Sequence, residues 1–317
     1  MDKLRVQLIL GHKQDAETTV ARIQLHTHVV GGKLHLHLDM SHTSLANIEP
    51  LVGLTALRSL QLESTQVRDV APVAGLTGLQ SLNLAKTKIT DLAPLANLND
   101  LQSLDLAETR INDITPLAGL TALQTLSLLK VPVSNITPLR ELTALQSLVL
   151  WKTSVSDITS LSGLGALKRL RLNETQINDL AAITDLITLE ELHLTGTPIS
   201  NIEPLKKLTA LKRLVLVETP VNDIQPLAGL TSLEVLDLEG TRVHDISPLA
   251  GLRELRELDL RNTRVTDFSV LSSLRKLKRL RLPNNTTIDP RRDNIPIIKP
   301  SSKAPQPKLR FPWQRRS

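Results

Sequence analysis

Leucine returns every 22 residues from Leu57 to Leu277 without a miss, and two more leucines follow it three and five residues later, as in Leu60/Leu62, Leu104/Leu106 and Leu280/Leu282. A fixed period of this length marks a solenoid, a chain in which each unit buries its apolar face only against its neighbours. Such a chain lengthens without a second core, so 317 residues need not mean two globular domains. It builds a long exposed surface rather than a closed pocket. Trp151, Phe268, Phe311 and Trp313 are the only aromatics, so aliphatic side chains must fill the interior. With no Cys, disulfides and thiolate metal sites are excluded.

One period, Leu57 to Gly78, reads LRSLQLESTQVRDVAPVAGLTG. Leu60 and Leu62 alternate with Ser59, Gln61 and Glu63, the pattern of a half-buried strand in a parallel sheet. Thr65 follows and recurs at Thr87, Thr109, Thr153, Thr175, Thr197, Thr219, Thr241 and Thr263, where a stacked hydroxyl can bond the loop leaving each strand. Val67 and Val70 re-enter the core. Asp69, with its counterparts Asp91, Asp113, Asp157, Asp179, Asp223, Asp245 and Asp267, is placed to cap a short helical or 3₁₀ segment. Pro72, Pro94, Pro116, Pro138, Pro204, Pro226 and Pro248 suit its first turn, where a missing N–H does no harm. The expected fold is α/β: a solenoid with strands along one side and helical turns along the other.

The string at Asp113–Gln124, DITPLAGLTALQ, resembles the 22-residue leucine-rich repeats of bacterial internalins. The resemblance spans roughly Leu36 to Leu282, about twelve units, with Thr where that family usually carries Asn in the loop ladder. It implies a right-handed curved solenoid, strands on the concave face, helical turns on the convex face, and protein recognition on the concave side. The expected organisation is an N-terminal β-meander cap over 1–34, the repeat solenoid over 35–287 and a basic, Pro-rich, disordered tail over 288–317.

The two ends carry their own signals. Leu4/Val6/Leu8/Leu10, Ile23/Leu25/Thr27/Val29 and Leu34/Leu36/Leu38/Met40 each alternate, with Gly31-Gly32 between the last two runs. A two-residue turn there sets His28 opposite His35 and His26 opposite His37. Two H-x-H pairs could hold Zn²⁺ or Ni²⁺, but no Cys or carboxylate at fixed spacing joins them. The expectation is a polar cap with no metal and no cofactor. After Leu282 the period stops, and eight basic residues against Asp289 and Asp293 account for the whole net charge of +6. The repeats are therefore neutral, which argues against a nucleic-acid groove along them. Any weak polyanion or membrane-surface contact belongs to the tail, where Leu309, Arg310, Phe311, Trp313, Arg315 and Arg316 form a candidate docking motif. The alternative is a tail that is only solvated.

Catalytic chemistry is not legible. Ser59, Ser81, Ser103 and Ser147 recur on the strand face with no neighbouring His to activate them. Gly163-x-Gly165 lacks the strand–loop–helix setting of a phosphate cradle, and carboxylates such as Glu191 can pair with Arg169 and Arg213 one strand away. The row Glu63, Ala85, Ala107, however, becomes Leu129, Trp151, Asn173, Thr195, Val217, beside Val149, Arg171, His193 and Val215. An exposed Trp151 flanked by Arg169, Arg171 and Lys152 has the make-up of a binding hot spot. Alternatively Trp151 lies flat as covering for the sheet, and His193 is a plain surface side chain. The expectation is a non-enzymatic scaffold that binds a protein ligand, not a small-molecule substrate, on the concave face. Partner residues would be Leu129, Val149, Trp151, Arg169, Arg171, Asn173, His193, Val215 and Val217. The alternatives are a secreted or translocated effector and an adaptor or regulatory subunit of an enzyme. MDKLRVQLILGHKQD is too short and too alternating for a signal peptide. A cytoplasmic protein is expected, or one exported by a specialised system without a cleaved signal.

Overall fold

The computed structural model describes residues 24–30 and 33–290. The chain forms two units, Met1–Thr153 and Ser154–Ser317. In the first, β1 (Gln24–Val30) and β2 (Lys33–Asp39) make an antiparallel hairpin. β2 then pairs in parallel with β3 (Leu57–Gln61), and β4 (Ser81–Asn83), β5 (Ser103–Asp105), β6 (Thr125–Ser127) and β7 (Ser147–Val149) follow in chain order. The expected boundary at residue 34 thus falls inside a strand that belongs to both hairpin and repeats. The predicted strand at Leu4–Leu10 and the Gly31-Gly32 turn lie outside the described residues.

The second unit repeats the pattern with β8 (Arg169–Arg171), β9 (Glu191–His193), β10 (Arg213–Val215), β11 (Val235–Asp237), β12 (Glu257–Asp259) and β13 (Arg279–Arg281) in parallel. β14 (Thr287–Ile288) turns back antiparallel onto β13, across the boundary expected between 287 and 288.

Each unit is a leucine-rich-repeat solenoid, and one coil shows how the sequence builds it. Leu101, Leu104, Leu106, Ile111, Ile114, Leu117 and Leu120 point inward and are at most 1 % exposed. Each such side chain contributes roughly 2 kcal/mol by leaving water. The coil closes with Thr115–Leu117, a 3₁₀ segment with Pro116 in its first turn. The expected cap is realised one step earlier than an N-cap. Asp113 Oδ1 accepts the Thr115 N–H at 2.8 Å, two residues on, which is an Asx-turn leading into the 3₁₀ segment. Asn47, Asn135 and Asn201 do the same in their coils, because the bond needs an oxygen and not a charge.

The threonine ladder is likewise local. Thr109 Oγ1 donates to Leu106 O at 2.7 Å within its own coil, so the hydroxyl tightens a turn rather than bridging two. That turn holds a feature the sequence hides. Ser64, Lys86, Glu108, Lys130 and Lys152 have φ between 56° and 58°, and at the same step only Gly196, Gly240 and Asn262 advertise the left-handed backbone. Coil-to-coil bonds impose it, as in Lys86 N–H to Ala107 O at 2.7 Å. Among the described residues no helix is long and apolar enough to cross a membrane.

Candidate binding surface

The strand residues that do not face the core form three rows on the outer side of the sheet. In the first unit one row reads Ser59, Ser81, Ser103, Thr125, Ser147, in register across β3 to β7. Its hydroxyls bond along the sheet: Thr125 Oγ1 donates to Ser103 Oγ at 2.8 Å, and Gln61 Nε2 donates to Ser59 Oγ at 3.1 Å. The next polar row contains Asn83 and Asp105, which accept the backbone N–H groups of Ala85 and Ala107 at 2.9 Å. Ala85 and Ala107 are buried at 3 % and 7 % exposure, whereas Leu129 and Trp151, one and two coils on in that row, are only half-buried. Val149, in register with Ser127 of the previous strand, is half-buried beside them.

Trp151 does not stand outward on a strand as expected. β7 ends at Val149, and Trp151 sits in the turn that follows, where Lys152 Nζ lies 5.7 Å from the ring centroid. The three-residue strand leaves this position to the turn, and the Lys152 ammonium makes a cation–π contact with the ring.

The outer face of the second unit is charged instead. Arg169 and Arg171 are exposed, and Arg171 reaches diagonally to Glu191, Nη2 to Oε1 at 2.9 Å. His193 is not isolated: its Nε2 lies 2.7 Å from the same Glu191 oxygen, with only 19 % of its side chain exposed. Burial lowers the His193 pKa from its usual value, against the attraction of Glu191 and with the repulsion of Arg171. Burial would raise the Glu191 carboxyl, but the Arg171 hydrogen bond and charge, with His193, outweigh it and hold the group below the ordinary range.

Asn173 is 9 % exposed, and its Oδ1 accepts the Thr195 N–H at 3.1 Å, which links two coils. Val215 and Val217 are half-buried on the outer side.

Sequence reasoning missed one cluster. Asp237, Glu239 and Asp259 bring their oxygens within 4.8 Å of one another. Arg261 Nε meets both Asp259 oxygens at 3.0 Å, Arg281 Nη1 reaches Asp259 Oδ2 at 2.8 Å, and Arg261 also bonds Glu239. These guanidinium groups occupy the acceptor directions that a cation would need. Burial pushes Asp237 up to about 6, opposed by the N–H of Glu239 and reinforced by the charges of Asp259 and Glu239. Asp259 also feels burial, yet the hydrogen bonds from Arg261 and Arg281 hold it low. The 22-residue spacing of Asp237, Asp259 and Arg281 was the available signal.

The hairpin register pairs His26 with His37 and His28 with His35. His26 is exposed and His35 and His37 are half-buried, while the His28 side chain lies outside the described residues. The tail motif of Leu309, Arg310, Phe311, Trp313, Arg315 and Arg316 lies outside them as well.

The family model for leucine-rich repeats in two copies matches residues 77–119 and 209–251. Comparison with curated proteins finds no match. Among solved structures, internalin C2 of Listeria monocytogenes is 34 % identical over 54 % of this chain and 75 % of its own, with a TM-score of 0.53. The chain belongs to the internalin-like leucine-rich repeat family. Listeria internalin InlF aligns with this internalin-like chain over more of its length: 28 % identity, TM-score 0.68, 76 % of this chain and 78 % of that one. A Leptospira interrogans leucine-rich repeat protein shares the fold at 23 % identity and TM-score 0.68, covering 78 % of this chain and 72 % of its own. The internalin-like repeats thus have the architecture of a protein-interaction scaffold.

Proposed function

We propose that this protein is a non-enzymatic scaffold that binds a protein ligand on the outer face of its sheet, anchored in the first unit by Leu129, Val149 and Trp151. The observation that carries this reading is the change within one row, from buried Ala85 and Ala107 to half-exposed Leu129 and Trp151. Several of the surrounding Ser, Thr and Asn side chains are engaged within the surface: Ser59 by Gln61, Ser103 by Thr125 and Asn83 by the Ala85 N–H. A neutral, internally bonded surface costs little to desolvate, so one large apolar anchor can dominate the affinity. Arg169, Arg171, His193, Val215 and Val217 form a separate charged and apolar surface on the second unit. With Arg171 held by Glu191, that surface suits recognition of a defined polar partner more than nonspecific adhesion.

The test is affinity for the protein recovered on the immobilised wild-type chain. Trp151→Ala and Leu129→Asp are expected to weaken binding by roughly 2 kcal/mol or more, the hot-spot scale, with unchanged circular dichroism. Retained affinity in both variants rejects the anchor.

A further inference from the structure

Arg169, Glu191 and Arg213 stand in register across β8, β9 and β10. Sequence alone pairs Glu191 with both of these arginines. The structure instead gives its carboxylate to Arg171 of the next row, Nη2 to Oε1 at 2.9 Å. Glu190, the other acid beside them, is taken by Lys212 at 2.7 Å. Lys168, Arg169 and Arg213 are exposed and form no ion pair among the described residues. The row offers Arg213 no acid on its other side either, because its neighbour on β11 is Val235. Cross-strand charge pairing, which stabilises such a surface when complete, is left incomplete here. Lys168, Arg169, Arg171, Lys212 and Arg213 thus stand against two carboxylates that are both already engaged.

We propose that Arg169 and Arg213 bind an acidic, extended segment of a protein partner, whose carboxylates complete the row. The proposal rests on the reading that the outer face of the sheet binds protein, but not on the Trp151 anchor. Neighbouring strands lie about 4.8 Å apart, so two steps separate the backbones of Arg169 and Arg213 by roughly 10 Å. A polyproline II segment repeats every three residues, or about 9 Å, so acids at its positions i and i+3 can meet one arginine each. The planar guanidinium fork takes a carboxylate through two parallel N–H bonds. Val215 and Val217, both half-buried, follow Arg213 along the same coil and offer contact to an aliphatic side chain of that segment. Extent and sign disfavour a nucleic acid. The free cations span only three strands, and the Asp237, Glu239 and Asp259 group follows on the next two coils, where a continuing phosphate backbone meets like charge.

The test is the anisotropy of a labelled peptide of repeated Glu-Pro-Pro units ending in Val, titrated with the full-length chain at low salt. Arg169→Glu with Arg213→Glu is expected to weaken binding about tenfold or more and to confer affinity for the matching Lys-Pro-Pro peptide. Arg169→Gln with Arg213→Gln, which adds no acid beside Glu191, should show the loss without the gain. Arg253→Glu with Arg275→Glu makes the same change of net charge at exposed positions elsewhere on the unit and leaves the basic tail intact. It should stay within about twofold of wild type. Trp151→Ala should not change affinity for the peptide, so failure of the anchor and failure of the acidic site are read separately. Equal losses in the two Glu pairs overturn the proposal, because the attraction is then diffuse, and so does unchanged affinity in the Gln pair. A single-stranded RNA of equal charge that displaces the peptide and loses its own affinity in the Gln pair also overturns it, because nucleic acid is then the occupant.

Discussion

At the scale of single residues, the period places a side chain and the coil decides what it does. Thr109 is buried and bonds Leu106 O, while Val131, fully buried at the same step, leaves Leu128 O with a backbone N–H alone. Thr109→Ala should therefore cost about 1 kcal/mol, and Val131→Thr should gain a similar amount, since it adds a bond without changing shape. Urea unfolding measures both, and a destabilised Val131→Thr would contradict the local-bond account. Asp237 gives a prediction in pH. Its folded pKa of about 6 lies above the ordinary 3.8, so the protonated form is the one the fold favours. Its contribution to stability is complete below pH 4 and is lost as pH rises through 6. Asp237→Asn cannot ionise and can keep the bond to the Glu239 N–H, as Asn83 does with Ala85. The variant should match wild type at pH 4 and exceed it at pH 8 by roughly 2 kcal/mol, after allowance for its partly solvated side. Equal stability of the two proteins at pH 8 would count against a buried charge. Neither the Asn173–Thr195 bond nor the Arg171–Glu191 pair was legible beforehand, because each depends on a neighbouring coil 20 to 22 residues away and not on the residue's own repeat.

At the scale of elements, the strands and 3₁₀ turns were legible because their signals are local and repeated. Alternating leucines, an Asx residue and a proline recur in each coil, so errors in reading one are corrected by the next. The lengths were not legible: most strands here have three residues, which is why Trp151 fell into a turn. The left-handed turn was hidden because Lys86, Glu108 and Lys130 carry no mark of it. If coils are interchangeable, deleting Leu79–Asp100 joins Gly78 to Leu101 in phase and restores every contact type. This 22-residue deletion should fold cooperatively with unchanged circular dichroism per residue and only a lower melting temperature. Deleting 79–89 instead puts half a coil out of phase, sending buried leucines outward, and should give no cooperative transition. A folded 11-residue deletion would show that the period is not what holds the coils together.

At the scale of the whole molecule, charge and core are separated along the sequence. The repeats are neutral in sum, and their ion pairs are mostly exposed ones such as Lys212–Glu190 and Lys276–Glu254. Such pairs contribute little to stability and leave little net field on the repeats. The excess of +6 lies beyond Leu282, and five of its eight cations, Lys303, Lys308, Arg310, Arg315 and Arg316, follow Lys299. Core and charge can therefore be removed independently. Deleting 300–317 takes away those five cations, Phe311 and Trp313, and leaves every coil in place. Melting should not move, and affinity for the protein ligand should persist, because the proposed anchor sits on the neutral repeats. Any binding of the intact chain to anionic vesicles or RNA should fall by an order of magnitude or more on deletion, and should weaken steeply with salt before it. Vesicle co-sedimentation at two salt concentrations measures it. Binding that survives the deletion undiminished would mean that Arg169, Arg171 and Arg213 on the repeats attract anions despite their acidic neighbours.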